Sequence, residues 1–202
     1  SNLFKKKKFN NKDTTYFLHI GKCAGTNLID SFENKVNLTS VGHRYKLYSI
    51  NENMKYIFSY RDPAKRIYSA FYSIKNRGKP RHDWKNHNIL QKFMFSIYDN
   101  FNDLAENLFS KNLIKRLSSR VCLNIIFENH QPISTWFTID ELAKKKPIFI
   151  FNVSSINEDL IKFNKKFNLN ISLSSDNKIM NKSIENNNEK LSFIAEKNLK
   201  CF

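Results

Sequence analysis

Two short segments concentrate the residues that could do chemistry. The first, HIGKCAGTN (His19 to Asn27), follows an aromatic and β-branched run, TTYFLHI, and leads into Leu28, Ile29 and Phe32 at helical spacing. Small residues at Gly21, Ala24 and Gly25 let a ligand come close to the backbone. At a strand-to-helix turn the N–H groups and the helix dipole favour an anion. Lys22 adds a point charge, and Thr26 and Asn27 add donors in the first helical turn. The pattern is that of a phosphate cradle. It is not the GxxxxGK[ST] loop, in which the lysine immediately precedes the hydroxyl that holds magnesium, because Lys22 stands four positions before Thr26. The plain alternative is an ordinary turn carrying a surface lysine. The second segment, SYRDPAKRIYSAFYS (Ser59 to Ser73), puts Arg61 at a strand end and Ser69 eight residues later, about two turns into the next helix. A forked guanidinium and a hydroxyl suit a second anion. Here the alternative is an Arg61–Asp62 cap with a surface serine.

Strands and helices alternate around these segments. Thr14–Ile20, Val36–Val41, Lys55–Tyr60 and Pro147–Val153 read as strands. Pro63 suits the first turn of a helix whose apolar stripe is Ile67, Ala70, Phe71 and Ile74, ending near Gly78 and Pro80. Leu104, Leu108, Leu113 and Leu117 suggest one more helix, and Val121–Phe127 is an ambiguous apolar run. Thr138 with Glu141 and Ser155 with Glu158 have capping-box spacing, the second opening a helix with Ile156, Leu160, Phe163 and Phe167. A last helix is expected from Glu189. The alternation predicts an α/β fold with a mainly parallel sheet, whose ligands bind beyond the C-terminal strand ends. Both segments lie at such ends.

The 202 residues suffice for one core, so a single domain over 14–202 is expected behind a poorly ordered basic lead-in, residues 1–13. Lys and Arg number 34 against 18 Asp and Glu, a formal net charge of +16 that favours a polyanionic partner. Abundant Asn and Lys suggest AT-rich coding, which leaves some of that charge as solvated surface. No run of about 18 apolar residues exists. No hydrophobic leader follows the basic start, and a cytoplasmic protein is expected. Three cysteines without CxxC spacing argue against a disulfide framework or a zinc site.

Together the two segments resemble the sulfotransferases that use 3'-phosphoadenosine 5'-phosphosulfate (PAPS), most of all the heparan- and chondroitin-type carbohydrate branch. Its first motif reads HxPKTGGT or HxPKxAGTS, matched here by His19, Gly21, Lys22, Gly25 and Thr26. Its second reads RDPxxRxxSxY, matched by Arg61, Asp62, Pro63, Arg66 and Ser69, with Ala70 and Tyr72 beside the pattern's last positions. Gly21 replaces a usual proline, Cys23 a usual Thr or Ser, and Asn27 a usual Ser or Thr. Weaker likenesses are VGHR (Val41–Arg44) to the family's GH element, HQPISTWF (His130–Phe137) to its HxPQ stretch, PIFIFNVSSINEDL to a late strand and helix, and Asn181–Ser183 to a polar loop near the cofactor. Residues 15–185 are covered in this way.

The resemblance implies a three-layer P-loop-like fold and sulfuryl transfer to a hydroxyl of an acceptor, an anionic glycan, with PAPS as cosubstrate and PAP as product. Gly21, Lys22, Cys23, Ala24, Gly25, Thr26 and Asn27 would cradle the 5'-phosphosulfate. Lys22 would meet the bridging oxygen, and Arg61 and Ser69 would hold the 3'-phosphate. No metal is expected. His43, in the GH element, is the candidate base, since a histidine titrating near neutrality suits that role. His130 is the second candidate, for base or substrate binding. His19 is expected to pack or orient, and His82 and His87 to be exposed or to face substrate. The basic connector 75–92, with Arg77, Arg81 and Lys85, is a candidate receiver of an anionic acceptor, a solvated loop being the alternative. Rival readings are a small-molecule kinase, a nucleic-acid or anionic-surface binding module, and an inactive relative of the enzymes. No RNP, KH, helix-turn-helix or zinc-finger pattern supports specific nucleic-acid binding.

Overall fold

The structure is a computed structural model and describes residues 11–33, 35–79, 82–83, 86–173 and 190–201. The chain forms two compact units interleaved in sequence, one from residues 1–61 and 132–174, the other from 62–131 and 175–202.

The first unit holds a four-stranded, all-parallel sheet: β1 (Thr15–Leu18), β2 (Leu38–Val41), β3 (Tyr56–Tyr60) and β4 (Phe149–Asn152), in the order β2-β1-β3-β4. The register pairs Leu18 with Val41 on one side and with Phe58 on the other. Buried strands read as apolar runs, and period-2 alternation sorts their side chains. Phe17, Ile57 and Phe151 turn to one face, packing with Leu28 and Phe32 of α1 (Gly25–Phe32) and Leu160 and Phe163 of α7 (Ile156–Phe167). Tyr16, Leu18, Tyr56 and Phe58 turn to the other face, closed by Leu47, Ile50, Trp136 and Leu142 of α6 (Ile139–Lys144). The α/β architecture and the parallel sheet are as the sequence predicts.

Between β1 and β3 the chain order reverses: one neighbour of β1 follows it directly through α1, the other comes later. That is a topological switch point, where parallel sheets leave a crevice beyond their C-terminal ends. His19–Thr26 leaves β1 there, and Arg61 leaves β3.

The second unit is helical. Its core joins α2 (Pro63–Lys75), α3 (Ile89–Ile97), α4 (Phe101–Glu106), α5 (Leu113–Asn129) and α8 (Phe193–Cys201) through Phe71, Met94, Phe101, Leu104, Leu123 and Leu199. Cys122 lies in this core, and burial pushes its thiol up to about 11, so it stays protonated at neutral pH.

Five local expectations are corrected or sharpened. The leucines at 104, 108, 113 and 117 do not share one helix: α4 ends at Glu106, and a turn through Ser110 separates it from α5. Val121–Phe127 is the second half of α5. Residues 89–92, placed in the connector, begin α3, which Asn88 caps by accepting from the Gln91 N–H. The Thr138–Glu141 box forms, but the Ser155–Glu158 box does not. Asp159 accepts from the Asn152 N–H at 2.7 Å and from the Ser155 hydroxyl at 3.4 Å, which draws Ser155 away from capping. α2 stops at Lys75, sooner than expected, because Arg77 and Gly78 both take left-handed φ, 52° and 76°.

Candidate functional site

The β1–α1 turn is built by backbone of alternating hand. Lys22 (φ 65°) and Ala24 (φ 56°) are left-handed on either side of Cys23. Such a conformation costs an L-residue about 1–2 kcal/mol, and alternation of this kind forms the concave "nests" that bind anions. Strain held in a short turn points to a function for that turn.

Three contacts hold it. The Ser59 hydroxyl, buried on β3, donates to the Cys23 carbonyl. The Cys23 side chain points into the core with Leu18 and Ile20 and is fully buried. The Cys23 thiol is packing, which leaves only its backbone for the cradle that the sequence suggests. The His19 ring lies over Gly25. A Cβ there would sit 2.3 Å from His19 Cδ2 and 3.0 Å from Phe17 Cε1, so the packing requires glycine. At Gly21 a Cβ would meet only His43 Nδ1, at an ordinary 3.8 Å, and its φ is not left-handed. Gly21 is not required by the turn.

The first turn of α1 is left open. Asp62, Asn88, Asn100, Asn112 and Thr138 each cap α2 to α6 with a side-chain oxygen, whereas Ala24 offers α1 no side-chain cap and no acidic residue occupies its first turn. The N–H groups of Gly25, Thr26 and Asn27 thus stand where a helix ordinarily lacks intrahelical partners, beside Lys22.

His43 joins this turn from beyond β2. Its ring packs on His19 with centroids 3.9 Å apart and planes tilted by 42°, and its Nδ1 lies 3.0 Å from the His19 carbonyl oxygen. A carbonyl accepts only, so Nδ1 carries the proton and the basic lone pair of the neutral ring sits on Nε2. The Trp136 indole N–H donates to the His43 carbonyl at 3.2 Å, tying its backbone to the segment before α6. The residue is exposed. Arg61 is half-buried just past β3.

The first unit thus brings together Gly21, Lys22, Ala24, Gly25, Thr26, Asn27, Arg61 and His43 at or beside the two central strand ends. In the second unit, Ser69 is buried on α2, and Asp62 caps that helix through the Lys65 N–H at 3.0 Å. Arg66, matched only as a motif residue, is buried and donates to the Gln131 carbonyl at 2.6 Å. His130 ends α5, its N–H donating to the Ile126 carbonyl and its Nε2 buried. Arg77 donates to Asn86 Oδ1 at 3.4 Å. His87, expected at the surface or facing substrate, is half-buried: Nε2 hydrogen-bonds the Ile74 carbonyl at 3.0 Å and the ring packs on Phe95. Arg81, Lys85 and Asn181–Ser183 lie outside the described residues, as does most of the lead-in.

Sequence reasoning missed Ser59, whose only signal was a hydroxyl one turn of the pleat before Arg61, and the His19–His43 ring contact, which joins residues 24 apart. Among the described residues no group of three or more His, Cys, Asp or Glu is placed to hold a metal, and no helix is long and apolar enough to cross a membrane. No protein-family model, curated protein or solved structure matches the chain.

Proposed function

We propose that the protein is a PAPS-dependent sulfotransferase with a P-loop-like sheet, acting on a hydroxyl of an anionic glycan. The observation that carries the reading is the β1–α1 turn: alternating-hand backbone, an uncapped helix start, Lys22, and His43 held in one tautomer against the His19 carbonyl. The motif resemblance supplies the cofactor class. Sulfuryl transfer asks little covalent work of the protein. It needs the partners positioned in line and the spread negative charge stabilised. Backbone N–H groups from Lys22 to Asn27 would hold the phosphosulfate, with the Lys22 ammonium on the bridging oxygen as it gains charge. Arg61 and Ser69 would take the 3'-phosphate, the group that distinguishes this cofactor from ATP. His43 would accept the acceptor's proton on Nε2 while Nδ1–H keeps its bond to His19. Arg77, Arg81, Lys85 and His130 would contribute to acceptor binding.

The test is transfer of labelled sulfate from PAPS to a panel of glycans. His43→Gln should lose about 10²–10⁴-fold in kcat, the usual worth of a general base, while binding PAP as before. Stabilisation by ATP with magnesium and not by PAP would replace the reading with a kinase. A cytoplasmic location is part of the proposal, checked by fractionating the source cells.

A further inference from the structure

The second unit carries an apolar surface that its core does not use. On α3, Ile89, Leu90, Phe93 and Ile97 are exposed, and on α5, Leu113, Ile114, Leu117 and Val121. Both sets follow i, i+1, i+4, i+8, which at 3.6 residues per turn confines each to an arc of about 100°. Met94 on α3, Tyr98 just past its end, and Cys122 and Ile126 on α5 lie outside these arcs and are buried. The most exposed members, Ile89 at 84% and Ile114 at 79%, stand in the first turns of their helices. The helices pack as neighbours: the Tyr98 hydroxyl, at the end of α3, donates to the Lys115 carbonyl at 3.1 Å and lies 2.9 Å from Ser118 Oγ.

Charge says what covers this surface. Neither Asn86–Tyr98 nor Asn107–Phe127 contains an Asp or Glu. Lys92, Lys111, Lys115 and Arg120 are exposed on the same two segments, and Arg120 falls within about 20° of the α5 apolar arc. The two helix starts repeat one pattern: an Asn cap, two aliphatics, a basic residue at the fourth helical position, then Phe93 or Leu117. A second copy of the chain is a poor occupant, since a two-fold contact would set these cations against their own equivalents. Bulky aliphatics interleaved with Lys and Arg are what an anionic lipid interface takes up.

We propose that α3 and the first half of α5 form a docking face for an anionic bilayer, on which the protein sits peripherally. The apolar arcs enter the headgroup boundary and the basic residues meet lipid phosphates and carboxylates. This holds whatever reaction the first unit performs.

Vesicle co-sedimentation of the intact chain tests it, with phosphatidylcholine alone and with added phosphatidylserine. Binding is expected only, or far more strongly, with phosphatidylserine. Lys92→Gln with Arg116→Gln and Arg120→Gln should weaken it by about fivefold per residue removed. Removing the same charge from the first unit, by Lys12→Gln, Lys35→Gln and Lys55→Gln, should change it by less than about threefold, since screening confines the pull of the lipid surface to charges at the docked face. Ile89→Ser with Phe93→Ser, Ile114→Ser and Leu117→Ser should weaken it about tenfold or more. The proposal is overturned if the wild type ignores phosphatidylserine vesicles, or if the two charge variants weaken binding equally, which would leave only diffuse attraction to a basic protein. It is also overturned if the serine variant, folded by circular dichroism, binds vesicles as the wild type does. A dimer in sedimentation lost by the serine substitutions, or capture by polyglutamate without vesicle binding, would assign the face to a second copy or to an acidic protein instead.

Discussion

Alanine substitutions at Gly25 and Gly21 should move stability in opposite directions, although both glycines stand in the same turn. At Gly25 the new Cβ would lie 2.3 Å from His19 Cδ2 and 2.6 Å from its Nε2, more than an ångström inside ordinary contact. The ring cannot swing away cheaply. It packs on the tilted ring of His43 at 3.9 Å and meets Phe17 edge-on at 5.9 Å. Overpacking of this kind costs about 1–3 kcal/mol. Alanine's better helix propensity returns about 0.5–1 kcal/mol. The net loss is about 1 kcal/mol and at most about 2.5 kcal/mol, a fall in Tm of up to roughly 10 °C for a chain of this size. At Gly21 the Cβ meets His43 Nδ1 at 3.8 Å and the backbone is not left-handed. There alanine should stabilise by about 0.4–1 kcal/mol, by restricting the unfolded chain. Urea unfolding followed by tryptophan fluorescence measures both, and the His43 ring resonances should shift in Gly25→Ala alone. A Gly25→Ala variant as stable as the wild type, or a Gly21→Ala variant that is the worse of the two, would refute the packing described for the turn.

Three further outcomes follow from neighbouring contacts. Ala24→Gly should raise stability by up to about 1 kcal/mol, because glycine removes the cost of φ 56° at a position where alanine caps nothing; a loss in a denaturant titration would contradict a strained turn. Ser59→Ala should cost about 1–3 kcal/mol by leaving the buried Cys23 carbonyl without the hydroxyl donor, and should weaken PAP binding with it; an unchanged midpoint and affinity would show that the tether does not hold the cradle. Lys145, at the other end of β3, donates to the Ile50 and Asn51 carbonyls, each at 2.6 Å, and burial brings its ammonium down from 10.5 to about 8. Between those values the unfolded chain holds a proton that the folded chain has lost, so folding stability rises with pH there, while below about 8 the full cost of burying the charge is present. Wild type measured against Lys145→Gln should therefore gain ground from pH 8 to 10, and parallel curves would contradict that.

What the sequence made legible was what local pattern decides. KYIFSY alternates so that Tyr56 and Phe58 serve one face of the sheet and Ile57 the other, and β3 is found there. Pro63 after a cap-forming Asp62 marks the start of α2 to the residue. Identical spacings failed where a third residue intervened: Thr138–Glu141 closes as a box, but Asp159 competes at Ser155. The leucine spacing across 104–117 was blind to the turn that breaks it. For the site, the turn and the strand ends were readable because glycines, a lysine and an arginine sit at fixed offsets from apolar runs. The inward turn of Cys23, the Ser59 tether and the His19–His43 ring contact were not, since each depends on which elements lie side by side, and the parallel register of β1 with β2 and β3 sets that.

Calorimetric titration of PAP into the intact chain, without metal, tests the central claim most directly. Saturable one-to-one binding is predicted, weakened at least about tenfold by Lys22→Ala and by Arg61→Ala, each of which removes a charge-assisted contact worth about 1.5–3 kcal/mol, and unchanged by His43→Gln. No measurable heat with PAP, or affinity indifferent to both Lys22 and Arg61, would contradict the β1–α1 turn as a PAPS cradle.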